Sequence, residues 1–255
     1  MFKKIRIVVL LLILLWVALD ALRTDSKAQA WKSSQYIYIY PIVASLDANT
    51  LAYTEKVSTE DWRDIEQFFN REAEQYGVNL TSPVRVYWGP KVTEAPPQLA
   101  NGAGTLGVMW WSLQLRWWAW SHTPETKVKP DARIYVLYHP LQNNVALPHS
   151  IGIAKARLGL AHIFASNQMH GSNQVVVAHE LLHIYGADDL YDARTNLPIF
   201  PQGYAEAERE PRYPQQFAEI MAGRIPISET EAQIPKSLSS VLIGAETAKS
   251  IGWIK

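Results

Sequence analysis

Val175-Val-Val-Ala-His179-Glu180-Leu-Leu-His183-Ile-Tyr-Gly186-Ala-Asp188-Asp189 is the stretch from which the rest of the chain is read. Histidines four positions apart on an α-helix lie about 6 Å apart along its axis and nearly on one face, so the imidazoles of His179 and His183 can converge on one metal ion. Glu180 follows the first of them, where a carboxylate reaches a water beside the ion and can serve as its general base. Gly186, three residues after His183, is where the helix is expected to end in a left-handed turn that swings the following residues back toward the histidines. Asp189 falls ten positions after His179.

The pattern His-Glu-x-x-His-x-x-Gly-x-x-Asp resembles the metzincin signature of zinc metallopeptidases, with Asp189 in the place more often held by a third histidine. Asp in that slot is similar to snapalysin-like peptidases, and the run Gly186-Ala-Asp-Asp-Leu-Tyr-Asp192 is similar to one in immune-inhibitor-A-type peptidases. The resemblance is specific over about fifteen residues and only general outside them. It implies Zn2+ held by His179, His183 and Asp189, with one position left for water and Glu180 as the catalytic base. Asp188 and Asp192 rank behind Asp189 as ligands. Asp188 points away if the segment after Gly186 is extended, and Asp192 reads as a turn residue or a partner of a ligand.

Composition narrows the alternatives. The chain has 255 residues, is 48% hydrophobic, and carries 24 basic and 24 acidic residues with a formal net charge of zero. It can bury a large core, and no global field recruits nucleic acid. The absence of cysteine removes thiolate metal sites, thiol catalysis and disulfides together, leaving imidazole and carboxylate as the strong metal ligands.

Lys3, Lys4 and Arg6 precede the apolar run Ile7 to Leu19, the basic-then-apolar form of an export signal. Ala28-Gln-Ala30 offers a small-x-small cleavage site, but Asp20, Arg23, Asp25 and Lys27 intervene. An uncleaved anchor over roughly Ile5 to Leu22 is the preferred reading: a single pass through the cytoplasmic membrane, basic residues inside and the folded part on the extracytoplasmic, periplasmic side. A secreted form is the alternative. The chain therefore divides into a membrane segment and tether over 1–30 and a peptidase domain over 31–255, with Trp31 to Ser34 as the end of the tether.

Tyr36 to Val43 alternates aromatic and β-branched residues and reads as the first strand, with Val84 to Trp88 and Ala132 to Tyr138 as further strands. Ser58-Thr59 opens a helix whose apolar face is Trp62, Ile65, Phe68, Phe69 and Ala73, and Gly77 closes it. Ile151 to Ala154 and Leu158 to Ala165 are two more strands just before the histidine helix; the resemblance implies that they supply a sheet edge that pairs with extended substrate. Met109 to Trp120 holds half of the chain's ten tryptophans, and reads either as a segment packed under the sheet or as one resting at the headgroup level of a membrane. His162, His170, His122, His139 and His149 lack helical spacing to the motif and are expected to be surface or core histidines.

The Pro-rich stretch from Asn196 to Pro214 reads as a binding or lid loop. Ala218-Glu-Ile-Met221-Ala-Gly223 then resembles the Met-turn beneath the zinc of metzincins, without the tyrosine that some of them carry two residues later; Tyr204 or Tyr213 would have to replace it. A final helix is expected from Gly244 to Ile251. The fold expected is α/β (α+β) in class, a metzincin-like zincin with a mixed five-stranded sheet, an active-site helix and a Met-turn behind an N-terminal membrane anchor. The function expected is a membrane-tethered, zinc-dependent endopeptidase acting on peptide or protein substrates. Two alternatives stand beside it. One is a zincin with Glu206 or Glu219 as third ligand; the other is a catalytically silent, metal-binding envelope protein that serves as a binding module.

Overall fold

The computed structural model of the protein describes residues 31–255 apart from 45, 101 and 142–146, together with 6–8, 11, 12 and 15. Most of the anchor expected over 1–30 lies outside the described residues. Among the described residues no helix is long and apolar enough to cross a membrane.

Five strands form one mixed sheet: β1 (Gln35–Ile42), β2 (Val84–Trp88), β3 (Ala132–His139), β4 (Ile151–Ile153) and β5 (Leu158–Phe164). Their spatial order is β2-β1-β3-β5-β4, parallel throughout except that β4 runs antiparallel at the edge. The expected mixed five-stranded sheet is thus present, with its short strand at the edge beside β5. Parallel neighbours need crossovers, and helices supply them on both faces. Because side chains alternate across a strand, β1 sends Ile37 and Ile39 to one core and Tyr38, Tyr40 and Ile42 to the other.

On the first face pack α2 (Arg63–Gln75) and α4 (His170–Ile184), and on the second α3 (Thr105–His122), giving three layers. Every residue expected on the buried stripe of α2, from Trp62 to Ala73, is buried, and Gly77 follows in the left-handed region at φ +66°. A short helix that the sequence reading did not anticipate, α1 (Ala48–Thr54), is capped by Asp47, whose side chain accepts from the Asn49 and Thr50 amides.

The tryptophan-rich segment is the 18-residue helix α3. It buries Trp111, Leu115, Trp118 and Ala119 against the sheet and leaves its other side in solvent. After α4 the chain forms only two-residue strands, β6 (Ala218–Glu219), β7 (Ile225–Pro226), β8 (Ala232–Gln233) and β9 (Val241–Leu242), before the last helix α5 (Ala245–Ser250). Trp31 is no free tether. It is buried against Tyr185 and Trp253, and its indole N–H donates to Ile251 O at 2.7 Å.

Candidate metal centre

Helix α4 is fixed at both ends. Asn173 holds the end of β5 through two bonds, its amide donating to Phe164 O at 2.8 Å while its oxygen accepts from Phe164 N at 3.0 Å. Val177, Ala178, Leu181, Leu182 and Ile184 are buried in the main core, which sets the rotation of the helix and turns His179 and His183 toward the opening. The helix stops at Ile184, and Gly186 at φ +99° reverses the chain, a conformation that a side chain would strain. Edge strand β4 lies directly over this region: a Cβ at Gly152 would run into His183 Cβ and the Glu180 carbonyl oxygen.

The reversal carries Asp189 back to the histidines. Its Oδ1 is 3.2 Å from His179 Nε2 and 3.2 Å from His183 Nε2, and the two nitrogens are 3.0 Å apart. Donors about 2.1 Å from a tetrahedral ion are separated by about 3.4 Å, so this nearly equilateral triangle is only slightly tighter than a loaded site. His179, Glu180 and His183 also form a group compact enough to hold a metal ion.

The tautomers agree with that use. His179 Nδ1 lies 2.9 Å from Ile220 O and His183 Nδ1 lies 2.8 Å from Ala187 O; since carbonyls only accept, both Nδ1 atoms carry the hydrogen. The two Nε2 atoms and a carboxylate oxygen are left facing one another, an arrangement that a cation satisfies, whether a shared proton or a metal ion. Burial works against a charged His179, but the Asp189 oxygen and the Glu180 carboxylate prevail and hold its pKa up at about 9. Burial likewise opposes the Asp189 anion, yet the same two imidazoles hold its carboxyl well below the usual range.

Glu180 is 4% exposed and its Oε2 has no hydrogen-bond partner among the described residues. Burial pushes its pKa up against the pull of His179 and His183. A buried, unsatisfied carboxylate oxygen beside metal-type donors is costly in a fold, which makes Glu180 a candidate for a functional role.

The turn that resembles a Met-turn lies under His179. Met221 is fully buried, and the preceding carbonyl, Ile220 O, is the one that receives the His179 hydrogen. Glu219 builds this turn. Its Oε2 accepts from Met221 N at 2.6 Å and Ala222 N at 3.0 Å, and its Oε1 from Gly244 N at 3.0 Å and Thr247 Oγ1 at 2.7 Å.

Glu219 is therefore consumed by four donors, and Glu206 by Arg209, Gln216 N and Phe217 N, which takes both out of the place of a third ligand. Asp192 caps a turn over Arg194 and Thr195. Asp188 is exposed. Tyr204 and Tyr213 bond each other at 2.8 Å and line no part of the cleft, and of the Pro-rich stretch only Asn196 does.

The cleft, about 570 Å³, is walled by residues the sequence reading did not place there: Tyr191, Arg224, His149 and His162. Burial and the Asp189 carboxylate both raise the Tyr191 phenol. His162, expected to be a bland histidine, sits in the wall 2.9 Å from His139 Nε2, and burial together with His139 depresses its pKa to about 4. His170 does have the structural role expected, reaching Asp61 O at 2.8 Å beside Trp62. Tyr191 was legible in one respect, since it stands two residues beyond Asp189 on the same returning segment; His162 comes from a strand and carries no spacing signal. No protein-family model matches the chain, and no curated protein matches it.

Proposed function

We propose that the protein is a zinc-dependent endopeptidase in which His179, His183 and Asp189 hold the ion and Glu180 is the catalytic base. The observation that carries this reading is the triangle of two Nε2 atoms and Asp189 Oδ1 with the unpaired Glu180 Oε2 beside it. A bound Zn2+ would supply Lewis acidity toward water and toward the scissile carbonyl. Glu180 takes the proton from the attacking water, which its raised pKa suits, and passes it to the departing amine. The free edge of β4, lying over His183, aligns an extended peptide backbone beside the base. The Tyr191 hydroxyl faces the same cleft and is a hydrogen-bond donor for a developing oxyanion. The metzincin-like assignment rests on the motif, the glycine turn and the buried Met221. The basic-then-apolar segment in 1–30 supports tethering to the cytoplasmic membrane with this domain outside.

Metal analysis of the purified protein paired with a peptide-library cleavage assay tests the site. Glu180→Gln is expected to keep its metal and lose hydrolysis by roughly 10²- to 10⁴-fold. Asp189→Ala is expected to lose the metal, whereas Glu206→Ala and Glu219→Ala retain it if folded. Cleavage at the wild-type rate by Glu180→Gln would sink the mechanism. Metal binding without cleavage by the wild type would favour a silent binding module.

A further inference from the structure

We propose that the outer face of α3 seats in the interface of an anionic lipid membrane, with the cation-lined cavity at its end taking lipid phosphates. This inference is independent of the peptidase reading and concerns the opposite face of the sheet.

Leu106, Met109, Trp110, Leu113, Trp117 and Trp120 recur at the i, i+3, i+4, i+7, i+11 and i+14 positions of α3, one stripe about 100° wide. All six are exposed, Leu106 at 81%, Trp117 at 65% and Trp120 at 75%. The reverse side of the helix is buried on the sheet, so α3 has apolar residues on both sides and only one of them is covered. A contiguous apolar surface of this kind on a folded domain marks an interaction face.

Charge decides the occupant. The sequence has no acidic residue between Glu94 and Glu125. Trp120, at the end of the stripe, also lines an open cavity of about 700 Å³ with Arg116, Lys127, Lys129, Arg133 and Lys155, against a single acid, Glu125. None of these five cations forms an ion pair among the described residues, and the buried Nε atoms of Arg116 and Arg133 have no hydrogen-bond partner there. Indoles seat at the headgroup level, where one side is apolar and the other wet, and clustered lysine and arginine beside them select anionic headgroups. A second copy of the chain would bring the same cations against these, which disfavours a self-paired face. The helix lies in the interface plane, since its inner side is held by the sheet. The basic-then-apolar run from Lys3 to Leu19 is a second feature of the sequence suited to a membrane.

The absence of cysteine gives a clean test, because an introduced thiol is unique. The full chain carrying Leu113→Cys or Trp117→Cys, labelled with a polarity-sensitive fluorophore, is reconstituted into vesicles of phosphatidylcholine with or without phosphatidylglycerol. Lipids bearing a quencher in the acyl chain are then introduced. Both probes are expected to be quenched in the phosphatidylglycerol vesicles and several-fold less in phosphatidylcholine alone, while a probe at the exposed Gln67→Cys on α2 stays unquenched in both. Combining the Leu113 probe with Lys127→Glu, Lys129→Glu and Lys155→Glu is expected to abolish the difference between the two vesicle types, each lost cation weakening the contact by roughly fivefold. Three results would overturn the proposal: probes at 113 and 117 as water-exposed as that at 67 in anionic vesicles; equal quenching with and without phosphatidylglycerol; or shielding that follows protein concentration and ignores the lipid, which would identify a second copy as the occupant.

Discussion

Helices α3 and α4 flank the same sheet, have similar lengths of 18 and 15 residues, and are both apolar on more than one side, yet one is enclosed and the other half bare. What separates them is the chain that comes later. Ile220, Met221, Leu238, Val241 and Ile243 close over the first face and complete a core around α4, whereas α3 is covered by the sheet and, at Trp111, by the loop at Pro97, and keeps its outer stripe bare. Polar residues consequently mean different things on the two helices. On α4 His179, Glu180 and His183 form a group compact enough to hold a metal ion; on α3 Gln114 is exposed but Ser112 and Arg116 are only partly so, and most of the solvent side is the apolar stripe. An all-round apolar helix predicts burial only if something remains in the chain to cover it.

The comparison can be broken most directly by truncation. Leu181→Ala, at a fully buried position of α4, is expected to lower unfolding stability by about 2–5 kcal/mol, while Leu113→Ala, 57% exposed on α3, should stay within about 0.5 kcal/mol of wild type in the same denaturant titration. Equal losses would mean that α3 is covered in solution. A smaller effect is expected from overpacking. Gly152→Ala pushes a methyl into His183 Cβ and the Glu180 carbonyl, so β4 must shift; a loss of about 1–3 kcal/mol and weakened metal binding should appear together in melting and metal-competition measurements.

The smallest expected effect concerns acid. His162 titrates near 4 in the folded protein, through burial and then His139, against about 6.5 in an unfolded chain. Between those values the unfolded state binds a proton that the folded state refuses, so this group's contribution is present above about 6.5 and is lost as the pH falls toward 4. The melting temperature of the wild type should therefore drop more steeply across that window than that of His162→Gln. Parallel curves would show that the His139–His162 contact is not maintained.

The sheet and the paired histidines were legible because each depends on local spacing: period two for the strands, and four residues between His179 and His183. Asp189 was legible through Gly186, the residue that makes the reversal possible. The rest depends on distant pairing. Trp31 owes its burial to a carbonyl 220 residues away, and His162 enters the cleft because β5 extends past the short β4. The Glu219 carboxylate, which offers no pattern at all, is read only once α5 and the Met221 turn are seen to share it. Helix α1 did leave a signal in Asp47, a capping residue that the surrounding sequence does not reinforce with apolar periodicity.

The sharing of Glu219 also bears on the order of events at the ribosome. Both histidines and Asp189 are synthesised well before Gly244 and Thr247, but the turn that presents Ile220 O to His179 is completed by those two late residues. A nascent chain that stops short of Gly244 therefore carries His179, His183 and Asp189 before the turn beneath His179 has the last two of its bonds to Glu219.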